Sequence, residues 1–224
     1  PNCSMMLSVR DKAQRNTGHS RMAPSPITVG ILADLEPGVG GGVNEFTRGL
    51  VHSILANQEG MRFVIFLASG DESWGIVESD QVAVVRVGRN GHLRGWRRWQ
   101  DRLVRYGAAL AQLSQGDIIR ARVTRTHRRR QSAILEAIQR SPWELDAIHL
   151  PFPEIVPIPI PLIFCPWDLQ HRHLREYWPR GIARDRDAYY QLGCRLAASI
   201  VLGSEWCREA LISQYAIPRR KTAV

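Results

Sequence analysis

One short stretch, Cys165-Pro-Trp-Asp-Leu-Gln-His-Arg-His-Leu-Arg-Glu-Tyr-Trp-Pro179, gathers a carboxylate and two imidazoles between two tryptophans. Asp168, His171 and His173 follow an apolar run, Pro161–Cys165, with the length and content of a buried strand. Such groups just past a buried strand suit general acid–base work, because burial and a neighbouring charge tune their pKa. Asp168 also has the type and place of a helix N-cap for the backbone N–H groups of Gln170 or His171, and both readings stand. His171 and His173 have no acidic or cysteine partner at ligand spacing, so no metal site is expected. His149, at the end of Asp146-Ala-Ile-His-Leu150, is either a site-facing side chain or a satisfied core histidine.

A second candidate is the glycine cluster Gly38-Val-Gly-Gly-Gly42, between an apolar run and a helical pattern. Free backbone N–H groups and a helix dipole favour an anion there, and glycine lets a phosphate approach the main chain. The dinucleotide fingerprint is broken, because its third glycine would fall at Val43. No Gly-Lys-Ser/Thr follows, so the loop is not a P-loop either. Anion contact by Gly40, Gly41 and Gly42 and a bare turn needing positive φ both remain open.

The elements that must position these residues alternate. Apolar runs at Ile27–Ala33, Arg62–Leu67, Val82–Val87, Leu145–Leu150, Pro161–Cys165 and Ser199–Gly203 read as strands. Phe46, Leu50, Val51, Ile54 and Leu55 mark one helical face, and further helices are expected over 95–113, 131–140, 185–198 and 205–215. Alternation demands crossover connections, hence an α/β, Rossmann-like fold with a mainly parallel sheet and helices on both faces. Ligands of such sheets bind beyond the carboxyl ends of the strands, which selects Asp34–Asn44, Pro151–Pro161 and Pro166–Pro179. The five prolines between 151 and 161 predict a stiff, extended connector walling a cleft.

Composition narrows the class. The 224 residues are 44% hydrophobic and 23% charged, which excludes a disordered or collagen-like chain. Four cysteines without a C-x-x-C pair argue for a reducing, cytoplasmic setting, with Cys194 and Cys207 as core. No apolar stretch is long enough to span a bilayer. Net charge is +9, but Arg86–Arg130 holds 13 arginines against two acids, and the rest of the chain is slightly acidic. Within that stretch Trp96, Trp99, Leu103, Tyr106, Leu110 and Leu113 form a helical seam, and Arg94, Arg98, Arg102 and Arg105 form a second stripe. The seam packs on the sheet beneath solvated arginines, or the basic face meets anionic headgroups or an acidic acceptor. Nucleic acid is not expected, since zinc modules and RNP aromatics are missing. Residues 1–26 read as a disordered or artefactual leader and 27–224 as one domain. The run Arg219–Val224 begins a strand that does not complete, the mark of a fragment.

Three segments resemble, in order and spacing, the retaining glycosyltransferases of the GT-B fold, the glycogen-synthase-like group 1 or family 4. Pro166-Trp-Asp-Leu-Gln-His171 with Leu174-Arg-Glu-Tyr-Trp178 is similar to that family's H-D-L-Q-H…P-E-F-F region. Val39–Phe46 with Leu50 resembles its glycine loop and first helix, and Ala198–Trp206 through Lys221 its A-x-x-V-I-x-x-S strand and exit. The resemblance implies the amino-terminal half of a GT-B fold, on the acceptor side, and a metal-independent transferase of hexosyltransferase type. The donor would be a nucleotide-sugar, with no tightly bound cofactor, and the acceptor a glycan or lipid-linked molecule, with peripheral contact to the inner face of a membrane. Gly40–Gly42 would lie against the donor phosphates, Asp168 and His171 would carry the polar chemistry, and Asn44, His149, Trp167 and His173 would line the acceptor cleft. Where many relatives have the active-site histidine, this chain has Trp167. A second, donor-binding domain would be missing, leaving the chain inactive alone. The alternative is a non-enzymatic module of the same fold that binds a partner, an acceptor or an anionic surface.

Overall fold

A computed structural model describes residues 25–35, 42–88, 125–153, 155–156 and 158–224, with 125–129 and 185 as backbone only. The seven strands are β1 (Ile27–Ala33), β2 (Met61–Ala68), β3 (Val82–Val87), β4 (Ala147–Leu150), β5 (Leu162–Phe164), β6 (Ser199–Val201) and β7 (Thr222–Ala223). The α-helices among the described residues are α1 (Gly42–Ala56), α2 (Arg125–Gln139), α3 (Gln170–His173), α4 (Arg180–Leu196) and α5 (Glu205–Tyr215). Every strand pair is parallel, in the order β3-β2-β1-β4-β5-β6-β7, so the fold is α/β and Rossmann-like. The strand order reverses between β1 and β4, which opens a crevice at their carboxyl ends.

Side-chain alternation builds the two faces. From β1 and β2, Ile31, Ala33, Phe63, Ile65 and Leu67 pack with Val51 of α1. The intervening Leu32, Val64 and Phe66 join Ile134 and Ala137 of α2 on the other face. Gly30 belongs to that second row, and a Cβ there would stand 2.9 Å from the Phe66 ring and 3.1 Å from Ile148. The start of β4 is fixed by Asp146, whose carboxylate accepts from the Thr28 backbone N–H at 2.8 Å and whose own N–H donates to Thr28 O at 2.9 Å.

Several sequence expectations shift. The connector after β4 does more than wall a cleft: Phe152, Ile155, Val156, Ile158 and Ile160 are buried in the main core, where a crossover helix would otherwise lie. The stretch after β5, expected as a loop, folds into α3 and a 3₁₀ turn at Arg175–Tyr177. Helices α2 and α4 start five to six residues earlier than the apolar pattern marks, because their first turns offer too few large apolar residues for a periodic signal. Phe46 leaves the expected apolar face of α1 and is 47% exposed, while Thr47 is fully buried. The end of the chain pairs as β7 with β6. Lys221 Nζ donates to the carbonyls of Cys194 (2.7 Å) and Arg195 (2.9 Å), capping the last turn of α4. The expected helix over 95–113 and the leader up to 24 lie outside the described residues.

Gly193 shows how closely α4 approaches the sheet. A Cβ there would meet the Phe164 ring at 2.6 Å and Ile155 at 3.0 Å, whereas one at Gly181 would meet nothing within 4 Å. Gly193→Ala is expected to lower stability by about 1–3 kcal/mol through overpacking, partly offset by better helix propensity. Gly181→Ala should instead stabilise by roughly 0.5–1 kcal/mol. Urea unfolding midpoints of the two variants check the pair.

Candidate functional site

Among the described residues, Trp167 bridges the crevice. Trp167, just past β5, sends its indole Nε1–H to the carbonyl of Pro151, past β4, at 2.8 Å. Its ring meets Phe46 of α1 edge to face, with centroids 4.7 Å apart and planes at 75°. Trp167 thereby joins the carboxyl ends of β4 and β5 to the first turns of α1. Its backbone stands at φ 69°, in the left-handed region that a bulky side chain avoids. Such a conformation costs about 1–3 kcal/mol and persists only where the surroundings over-determine it.

Three of the sequence-selected residues therefore share this mouth. Gly42 opens α1 in an exposed position and a Cβ there would touch nothing, so packing alone does not require glycine. Asn44 lies half-buried on the same first turn. Asp168 is half-buried beside Trp167, and its Oδ1 accepts from the Gln170 backbone N–H at 3.1 Å. The formal cap of α3 is Leu169, so Asp168 acts one residue earlier, as an Asx turn. On the β1 side, an Arg130 guanidinium nitrogen donates to Asp34 O at 2.6 Å and lies 3.7 Å from the Asp34 carboxylate. Gly40, Gly41, Arg94, Arg98, Arg102 and Arg105 lie outside the described residues.

His171 points elsewhere. It is 1% exposed, its ring tilted against Tyr190 of α4 with centroids 4.9 Å apart, and Nε2 lies 3.5 Å from both an Asp187 carboxylate oxygen and the Tyr215 hydroxyl. Nε2 faces the carboxylate, and Nδ1 is buried without a hydrogen-bond partner. Burial, with the Arg186 charge, pulls the His171 pKa below its usual value despite Asp187. His173 is exposed and tilts against Trp206 at 5.2 Å. Among the described residues no group of three or more His, Cys, Asp or Glu is arranged to hold a metal.

His149 is buried on β4, with Nε2 3.4 Å from the Cys165 sulfur. Burial drives the imidazole down to about 4 and the thiol up to about 12, so at neutral pH both are uncharged and the pair is no nucleophile.

Sequence reasoning missed the partners. Phe46 read as a core position of α1, and no spacing rule links it to Trp167. Asp187, Arg172 and Tyr215 sit on three separate elements, and only the i, i+3 placement of Asp187 and Tyr190 on α4 hinted at a polar face.

No family model matches this chain, and no curated protein does. Among solved structures it is similar to HepE (Alr3699) of Anabaena, whose crystal structure is in complex with UDP and glucose. The TM-score is 0.50 at 15% sequence identity, over 88% of this chain and 44% of that one. At that identity the likeness is one of fold, and this chain spans less than half the length of HepE.

The buried imidazoles set an acid limit. His149 is held near 4 when folded and returns to about 6.5 when unfolded. Between those values the unfolded chain binds more protons, so stability falls as pH drops from about 6.5 toward 4, by roughly 3 kcal/mol for this residue. Urea midpoints at pH 7, 6 and 5 should decline, and a His149→Gln variant should show a visibly shallower decline.

Proposed function

We propose that this chain is the amino-terminal, acceptor-side domain of a retaining GT-B glycosyltransferase, acting on a nucleotide-sugar donor and a glycan or lipid-linked acceptor. The observation that carries the reading is the Phe46–Trp167 contact. It brings two segments about 120 residues apart, the end of the glycine loop and the turn bearing Asp168, to one mouth at the strand-order reversal. Two independent supports are the motif resemblance and the shared fold with HepE, a protein solved with UDP and glucose.

In this reading the transfer breaks the bond from the sugar C1 to the nucleotide phosphate and forms one from C1 to an acceptor oxygen on the same face. The departing diphosphate gains negative charge. Backbone N–H groups of the glycine loop and the N-terminus of α1 supply fixed dipoles for it. The Asp168 carboxylate, beside the mouth, accepts a hydrogen bond from the acceptor hydroxyl, whose proton passes to the departing diphosphate as the new bond forms. His171, buried behind the mouth, holds the turn rather than exchanging protons with substrate. Trp167 offers an apolar ring where the resembled family has an imidazole, because its only donor is spent on Pro151 O. The bulk of nucleotide affinity belongs to a second Rossmann-like domain, and the domain works without a metal, in the cytoplasm, at the inner face of a membrane.

Titration of the isotopically labelled chain with UDP-glucose at millimolar concentration should shift the amides of Gly42–Asn44 and the Trp167 indole together, weakly, since most of the donor affinity lies in the second domain. Shifts that leave these residues unmoved would contradict the reading. Changing Arg94, Arg98, Arg102 and Arg105 to glutamine should weaken sedimentation with anionic vesicles, and unchanged sedimentation would remove the membrane contact from the proposal.

A further inference from the structure

Behind the mouth, one carboxylate gathers three elements. Arg172 of α3 forks onto Asp187 of α4, Nε to Oδ1 and a terminal nitrogen to Oδ2 at 2.8 Å. The Tyr215 hydroxyl, at the end of α5, donates to Asp187 Oδ1 at 2.8 Å, and His171 Nε2 stands 3.5 Å from the same oxygen. Arg172 also donates to Gln214 Oε1 and lies 5.1 Å above the Tyr215 ring. Burial by itself would raise the Asp187 pKa, but the hydrogen bonds from Arg172 and Tyr215 hold it below the usual carboxylate value.

This cluster has a mechanical consequence. Helix α3 is four residues long, has no side-chain N-cap, and is far too short to be stable by itself. Its place is set by Leu169, buried at its start, and by the contacts of His171 and Arg172 with α4 and α5. Trp167, only three residues before α3, holds the strained φ of 69°. The strained turn is gripped in front by Phe46 and Pro151 O and behind by α3.

We propose that Asp187 is the positioning residue of the mouth: by fixing α3 against α4 and α5, its carboxylate holds Trp167 and Asp168 in the geometry that closes the crevice. The proposal rests on the reading of the mouth as a binding site, and Asp187 itself touches no substrate. The substitution Asp187→Asn keeps the shape of the side chain but loses the charge and one acceptor, so the fork of Arg172 and the Tyr215 hydroxyl could not both be met.

Two indoles make the test internal. Trp167 Nε1–H is bonded to Pro151 O at the mouth, and Trp74 Nε1–H to the Asp71 carboxylate at 2.7 Å, on the far side of the sheet. Hydrogen exchange of both is followed by NMR in the wild-type chain, in Asp187→Asn, and in Tyr215→Phe, which retains the Arg172 fork. In Asp187→Asn the Trp167 indole should exchange about tenfold faster or more, with Trp74 within about twofold of wild type. Tyr215→Phe should fall between, and it carries the test should Asp187→Asn not fold. Equal acceleration of both indoles would make Asp187 a general stability residue and overturn the proposal, as would no change at Trp167. The exchange needs no ligand. If Trp167 alone accelerates while UDP-glucose fails to bind the wild-type chain, the positioning role stands and the reading of the mouth as a nucleotide-sugar site falls.

Discussion

The molecule's candidate site hangs on a single side chain in an unfavourable backbone conformation. Trp167 meets the carbonyl past β4 with its indole N–H and the first turns of α1 with its ring edge. The left-handed turn at Trp167 and its two anchors occur together. The parallel sheet makes this possible by placing the ends of β4 and β5 side by side, with β1 and its helix across the reversal. Helices α3, α4 and α5 then supply the counter-grip that keeps the turn in place.

The interior that supports this arrangement is electrically quiet. His149 and Cys165 are neutral through burial, and His171 is held below its usual pKa. Charges that do enter are matched: the Asp187 carboxylate by the Arg172 fork and Tyr215, Asp71 by Ser73 and Trp74. Lys221 satisfies the end of α4, at a lower pKa than in water because it is half-buried there. Such matching follows from the cost of burying unpaired polar groups. It also separates surroundings: Asp168 is half-buried beside Trp167, whereas His171 is buried against Tyr190.

Most of the fold was legible because strands in a sheet covered on both faces leave an unmistakable trace. Ile27–Ala33 and Val82–Val87 read as continuous β-branched runs and form β1 and β3 over the same residues. The helices α2 and α4 extend beyond their apolar patterns, since first turns such as Arg180-Gly-Ile-Ala-Arg184 offer too few large apolar residues for a periodic signal. The short α3 was invisible, because tertiary contacts rather than propensity hold a four-residue helix. At the candidate site, residue type and position after a strand singled out Asp168, and the family resemblance singled out Trp167. Phe46, Asp187 and Tyr215 were not singled out, since contacts between separate elements leave no spacing in the chain. His171, expected beside Asp168, is turned inward by α3 against Tyr190, a placement no spacing in the chain indicates.

The proposed nucleotide-sugar chemistry rests on the glycine-loop end and the Trp167–Asp168 turn meeting at one mouth. A crystal structure of the chain soaked with UDP-glucose tests that proposal most directly. The account predicts the diphosphate at the N-terminus of α1, the sugar against Trp167 and Asp168, and Trp167 still at positive φ. Diphosphate bound away from α1, with the Phe46–Trp167 contact unaltered and the mouth empty of sugar, would contradict it.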